Sequence, residues 1–279
     1  LIWVGFSIMI RRAVCLLIGL LFSMTISQSY SQSKEDLQNL SVDHIPIAIV
    51  DLSTIEYILG DKLQFTIKEG SVHDGIRNCF IKFEDETYLE FVSPIDSLSP
   101  LGQLYSNRLK IDSIPYFLAF KIPSTEKIIN ILHQNSINIL LDSTRFWKTI
   151  SLEHYSIFFI KYNNSNWKEK ATFTTHSNGS IGLKHIWLSS NKSNVDLNLL
   201  KNLGFFDKDY NKSNFWNTTI KLNSFPDSLL NNNVHIGFTI TVKSLQNLIE
   251  RDKSHLLKVT SKTSLVFSHE SLPFFLEFV

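Results

Sequence analysis

From residue 44 to residue 50 the chain alternates, with Ile45, Ile47 and Ile49 on one side of an extended segment and His44, Pro46 and Ala48 on the other. The period then lengthens. Ile55, Ile58 and Leu59 recur at helical spacing, Ser53 followed three residues on by Glu56 has the form of a capping box, and Gly60 is the expected stop. Strands are predicted after it over residues 64–68, 78–83 and 87–92. In the last of these Glu90 shares a side with Tyr88 and Val92, while Leu89 and Phe91 take the other. The unit is therefore βαβββ, with one face for the helix and one carrying His44 and Glu90.

The same order returns along the chain. "YFLAFKI" (116–122) leads through Ser124 to a helix carrying Ile128, Ile131 and Leu132, and "SIFFIKY" (156–162) closes a second unit. "KHIWLSS" (184–190), a helix with Val195, Leu199 and Leu200, and "NTTIKLN" (217–223) outline a third. "VHIGFTI" (234–240), a helix with Leu245, Leu248 and Ile249, and the final "LPFFLEFV" (272–279) outline a fourth. The predicted fold class is α+β: tandem βαβββ modules paired into curved mixed sheets with helices on the outer face. Superposing the units puts His44, Phe117, His185 and His235 at one place in the first strand. Glu90, Lys161 and Glu277, with Lys221 as a looser fourth, then share a place in the last strand.

Of the 279 residues, 43% are hydrophobic, enough for a sizeable core and one or two domains. With 27 basic and 26 acidic side chains the net charge of +1 gives no electrostatic footprint for nucleic acid. Met9-Ile10-Arg11-Arg12, the apolar run from Ala13 to about Ile26 and the small residues Ser29 and Ser31 read as an export signal, whose apolar run is shorter than a membrane span. The expected organisation is a signal peptide over 1–31, with Met9 as a candidate start, a linker over 32–41, one module pair over 42–165 and a more divergent pair over 166–279. Signal cleavage would leave Cys79 as the sole cysteine, so no internal disulfide would form, and its strand position is that of a small buried hydrophobe. The expected location is a bacterial periplasm or the exterior, with no membrane attachment after cleavage.

"VDHIPIAIVDL", "VHDGIRNCFIKF" (72–83), "TYLEFVSP" (87–94) and "THSNG" (175–179) resemble the glyoxalase-like branch of the vicinal oxygen chelate superfamily, most clearly over residues 42–94. The resemblance implies paired modules forming a cup and, in many members, a divalent metal held by first-strand His and last-strand Glu side chains. Here those would be His44, Glu90, His185, His235 and Glu277. Imidazole and carboxylate donors suit Zn, Ni, Fe, Mn or Co, and a Lewis-acidic ion would stabilise an oxyanion while Glu90 moves a proton, which is isomerase or lyase chemistry. If modules one and two share a cup, His44 and Glu90 face Phe117 and Lys161, neither an ordinary ligand. If modules three and four do, His185, His235 and Glu277 form the two-His, one-carboxylate set of an extradiol-type dioxygenase. Pairing modules one and four would unite His44, Glu90, His235 and Glu277.

A second reading is a metal-free cup of the bleomycin-resistance type that binds or sequesters a small molecule. His73, Asn78, Tyr88, Phe117 and Lys161 are the candidate ligand-binding residues. Against this, His73, Gly75 and Asn78 also suit an ordinary turn and Lys161 a solvated strand end. The expected partner is a small oxygenated molecule, and a homodimer is compatible with the fold.

Overall fold

The computed structural model describes residues 40–110, 113–164, 168–188, 195–196, 198–201, 212–214, 218–222, 234, 236–252 and 255–279. The expected signal peptide, all of the linker up to residue 39, and His235 lie outside the described residues. Among the described residues no helix is long and apolar enough to cross a membrane.

Two mixed sheets carry the fold. The first contains β1 (Ser41–Ala48), β2 (Lys68–His73), β3 (Ile76–Lys82), β4 (Tyr88–Pro94), β5 (Leu118–Lys121), β6 (Ile139–Ser143), β7 (Trp147–Leu152) and β8 (Ile157–Tyr162), in the order β2-β3-β4-β1-β5-β8-β7-β6. The second contains β9 (Ser180–Leu188), β10 (Lys212–Asn214), β11 (Thr219–Leu222), β12 (Ile236–Val242), β13 (Lys258–Ser261), β14 (Ser264–Ser268) and β15 (Phe274–Phe278), in the order β10-β11-β9-β12-β15-β14-β13. In every module the first strand pairs parallel with the last: β1 with β4, β5 with β8, β9 with β11, β12 with β15. Modules join through their first strands, antiparallel, β1 with β5 and β9 with β12. One sheet thus holds modules one and two and the other modules three and four. A cup shared by modules one and four is not formed.

Local chemistry explains the helices. The first is capped by Asp51, whose Oδ1 accepts from the Ser53 amide at 3.0 Å, rather than by the expected Ser53 box. It runs as an α-helix over Leu52–Ile55 and continues with wider π turns over Glu56–Lys62, so Gly60 does not stop it. Leu52, Ile55, Ile58 and Leu59 are its buried stripe. Ser124 and Ser244 cap the helices Thr125–Gln134 and Leu245–Arg251 as N-cap hydroxyls do, accepting from the amide three residues on. Residues 64–67 do not form the expected strand. The Thr66 amide and hydroxyl bond instead to His176 Nδ1 and the Thr175 carbonyl, which takes this stretch out of any ladder.

The two sheets meet through their helix-bearing sides. Phe91 packs against Phe274 with ring centroids 5.8 Å apart, and Phe65 against Phe278 at 6.1 Å. Leu89 and Phe91 are fully buried there, so Tyr88 and Glu90 face the other way. The "THSNG" segment is a clasp between the sheets: His176 Nδ1 accepts from the Thr66 amide and Nε2 donates to the Lys82 carbonyl, while Asn178 donates to the Leu63 carbonyl. Asp85 accepts from the Leu183 amide at 2.9 Å, an approach that Gly182 permits because a Cβ there would lie 2.5 Å from the same oxygen.

Candidate functional site

β1 and β4 place His44 and Glu90 side by side. Register pairs His44 with Tyr88 and Pro46 with Glu90, so the two functional side chains are diagonal neighbours on one face. His44 Nε2 lies 3.5 Å from Glu90 Oε2. Asp43 would normally point to the opposite face, but the β1–β5 pairing shifts register between Val42 and His44. Such an irregularity re-aims a side chain, and Asp43 Oδ2 takes His44 Nδ1 at 2.6 Å and the Tyr162 hydroxyl at 2.8 Å. Tyr88 stacks on the imidazole at 4.5 Å and 4°, and Phe158 meets it edge-on at 5.5 Å. Asn78 fixes the other member of the pair, donating from Nδ2 to Glu90 Oε1 at 2.7 Å while its Oδ1 accepts from the Ser71 amide. Burial, reinforced by the Asp43 carboxylate, pushes the Tyr88 and Tyr162 phenols up, so both remain protonated donors at neutral pH.

This cluster lies in the wall of an open cavity of about 1740 Å³ that also takes in His73, Phe117, Lys82 and Arg108. His73, in the strand end before the tight Asp74-Gly75 turn, is exposed and paired with Asp74 at 3.2 Å. Asn78 is not solvent-facing but part of the Glu90 support. Lys161 is absent from the cavity wall, and its charge acts on Glu126 at the start of a helix on the far face. The register explains the slip. Ser124 caps the second helix as Asp51 caps the first, which matches Pro46 to Ala119, and Ala119 pairs with Phe158 as Pro46 pairs with Glu90. The counterpart of Glu90 is Phe158, and that of His44 is Phe117.

The second sheet repeats the architecture without the cluster. Glu277 pairs in register with Thr239, so the counterpart of His44 in module four is Gly237, two residues beyond His235. A Cβ on Gly237 would fall 2.1 Å from the Phe275 ring, which occupies that space. Glu277 Oε2 accepts from the Thr239 hydroxyl at 2.6 Å, and Thr239 in turn accepts from the Trp187 indole at 2.7 Å. His185 lies beside Trp187 at a ring separation of 6.4 Å, in a half-buried position whose backbone pairs with Thr239. β15 sits between β12 and β14, so Glu277 is on an interior strand. Because the sheets meet through their opposite faces, Glu90 and Glu277 point away from each other.

A resident divalent metal does not fit the first cup. Two donors, His44 and Glu90, face two phenylalanines, Phe117 and Phe158, at the symmetric places. Among the described residues no group of three or more His, Cys, Asp or Glu side chains could hold an ion. Asp43, Tyr162, Phe158 and Arg108 were not among the candidates from sequence. Tyr162 and Phe158 alternate within "IFFIKY", and counting faces from Tyr162 instead of Lys161 finds them. Arg108 ends the helix Pro100–Arg108, whose Ser99-Pro100 start is a readable N-cap and N1 pair.

The architecture, βαβββ modules paired through their first strands into two mixed sheets, is the fold that the resemblance of the sequence implies. No family model and no curated protein matches the sequence. Among solved structures the chain is similar to a hypothetical protein from Staphylococcus aureus, with a TM-score of 0.54 at 13% identity, over 86% of this chain and 98% of that one. It is also similar to methylmalonyl-CoA epimerase from Mycobacterium tuberculosis, with a TM-score of 0.36, 14% identity, and 44% and 88% of the two chains. A Streptomyces coelicolor methylmalonyl-CoA epimerase in complex with 2-nitronate-propionyl-CoA gives a TM-score of 0.35 at 16% identity, over 44% and 97%. At 13% identity the likeness to the Staphylococcus aureus protein concerns the fold alone.

Proposed function

We propose that the first cup binds a small oxygenated molecule without a metal, and that His44 and Glu90 are its polar anchors. The observation that carries this is the pair Phe117 and Phe158 standing opposite His44 and Glu90 where further ligands would be needed. An apolar wall with a few fixed polar groups is the usual make-up of a small-molecule site, and Asp43, Tyr88 and Asn78 hold those groups in place before a ligand arrives. The test is a thermal-shift and calorimetric screen of apolar, zwitterionic and oxyanionic small molecules, with and without EDTA. EDTA-insensitive stabilisation that weakens in His44→Ala is expected. Absence of stabilisation by every compound, or binding that requires added metal, contradicts the reading.

A proton-transfer activity is the second reading, favoured by the 2.6 Å contact from Asp43 to His44 Nδ1, which leaves Nε2 and Glu90 as an adjacent acid–base pair. Solvent deuterium entering a bound carbonyl compound, and ceasing in Glu90→Gln, is its signature. The Met9–Arg12 start and the apolar run after it support export, and N-terminal sequencing of mature protein beginning near residue 32 is the expected result.

A further inference from the structure

Arg108 is a cation prepared for an anion that the protein itself does not supply. Its guanidinium lies over the Phe117 ring at 4.1 Å, and one nitrogen, Nη1, donates to both the Ile114 carbonyl at 3.1 Å and the Ser156 hydroxyl at 2.7 Å. These contacts fix the plane and rotation of the group. They leave the Nε–Nη2 edge, the fork whose spacing matches two carboxylate oxygens, without an acceptor among the described residues. The acid that acts on it through space, Asp196, is buried and spends Oδ1 on the Ser156 amide at 2.8 Å, and makes no ion pair with Arg108.

The surroundings narrow the ligand. Arg108, Phe117, Phe158 and His44 all lie in the wall of the same cavity. Phe117 and Phe158 are 6.4 Å apart and Phe158 meets His44 at 5.5 Å, so an aromatic surface runs from the guanidinium to the His44–Glu90 pair. Tyr105 packs edge-on against Phe117 at 5.9 Å from the side. Polar chemistry stands at both ends of that surface, cationic at one and hydrogen-bonding at the other. A ligand satisfying it has a carboxylate, a flat or apolar body and a neutral oxygen function.

We propose that Arg108 is the carboxylate-binding residue of the cup, and that its ligands are small aromatic or apolar carboxylic acids. This rests on the reading of the cup as a small-molecule site. The test compares phenylacetate, 4-hydroxyphenylacetate and 4-hydroxycinnamate with their uncharged amides by calorimetry on the full chain, and repeats it with Arg108→Gln and Arg108→Lys. Acids are expected to bind roughly tenfold or more tightly than amides, the worth of one charge-assisted pair, with the preference lost in Arg108→Gln and reduced in Arg108→Lys, whose ammonium lacks the fork. Acids and amides binding equally to the unaltered chain overturn the assignment while leaving the cup as a small-molecule site. So does a preference that survives Arg108→Gln. If neither the acids nor the amides bind, and the wider screen also finds no ligand, both readings fall. The comparison within the unaltered chain stands even if a variant misfolds, since Arg108 also ties Ile114 to Ser156.

Discussion

At the scale of single residues, the cup is defined by what surrounds each ionisable group. His44 is held by Asp43 on one nitrogen and stacked by Tyr88, so its ring direction is set before any ligand enters. Removing the partner that holds it, in Asp43→Asn, is expected to weaken ligand binding about as far as a charge-assisted hydrogen bond is worth, roughly 1.5–3 kcal/mol, as read by calorimetry. Cys79 shows the opposite environment. Burial, aided by the Glu56 carboxylate, pushes its thiol up to about 12, so it should stay unreactive toward thiol reagents in native protein and react fully in denaturant. Fast labelling of the native chain would contradict this. His176 is kept neutral: burial lowers it from its ordinary 6.5, and its Nδ1 must stay unprotonated to accept from Thr66. Below about pH 6.5 the unfolded chain takes up a proton at this position that the folded chain resists. Stability is therefore full above that pH and falls as pH drops below it. Urea midpoints of the protein and of His176→Gln, measured from pH 8 to pH 5, should converge as the pH falls, and a constant gap would refute the assignment.

At the scale of elements, alternation made the outline readable and the loss of one residue of register hid the details. The faces of β4 follow from "TYLEFV" alone, because Leu89 and Phe91 are buried and Glu90 is not. In β8 the same logic failed by one position, and a one-residue slip in a strand moves every side chain to the other face. Lys161 was thereby placed in the cup and Tyr162 left out of it. In β12 the slip was two residues, and the counterpart of His44 is Gly237 instead of His235. Alternation within a strand gives its two faces but no register between strands. That comes from the helix caps at Asp51, Ser124 and Ser244 and from cross-strand pairing. Gly237 gives this a measurable consequence. Gly237→Ala should cost about 1–3 kcal/mol by forcing Phe275 aside, and Phe275→Leu in the same chain should recover part of it. Equal urea midpoints for the protein and Gly237→Ala would contradict the packing described.

At the scale of the whole molecule, the repeat was legible because each module obeys the same burial rule, whereas the direction of the cups was not. Phe91 against Phe274 and Phe65 against Phe278 turn the two sheets back to back, and no periodicity within one module contains that contact. The consequence is chemical. His44 and Glu90 on one side, and His185 and Glu277 on the other, are divided between two outward faces, one bearing the His44–Glu90 cluster and one filled by Trp187 and Phe275. The first cup is left with two donors and two phenylalanines. The most direct test is elemental analysis of the purified chain after incubation with excess Zn, Ni, Mn, Co and Fe(II) and removal of unbound ion, alongside His44→Ala. Substoichiometric metal, equal in both proteins, is the predicted result. One equivalent of any of these ions in the unaltered chain, lost in His44→Ala, would contradict the account.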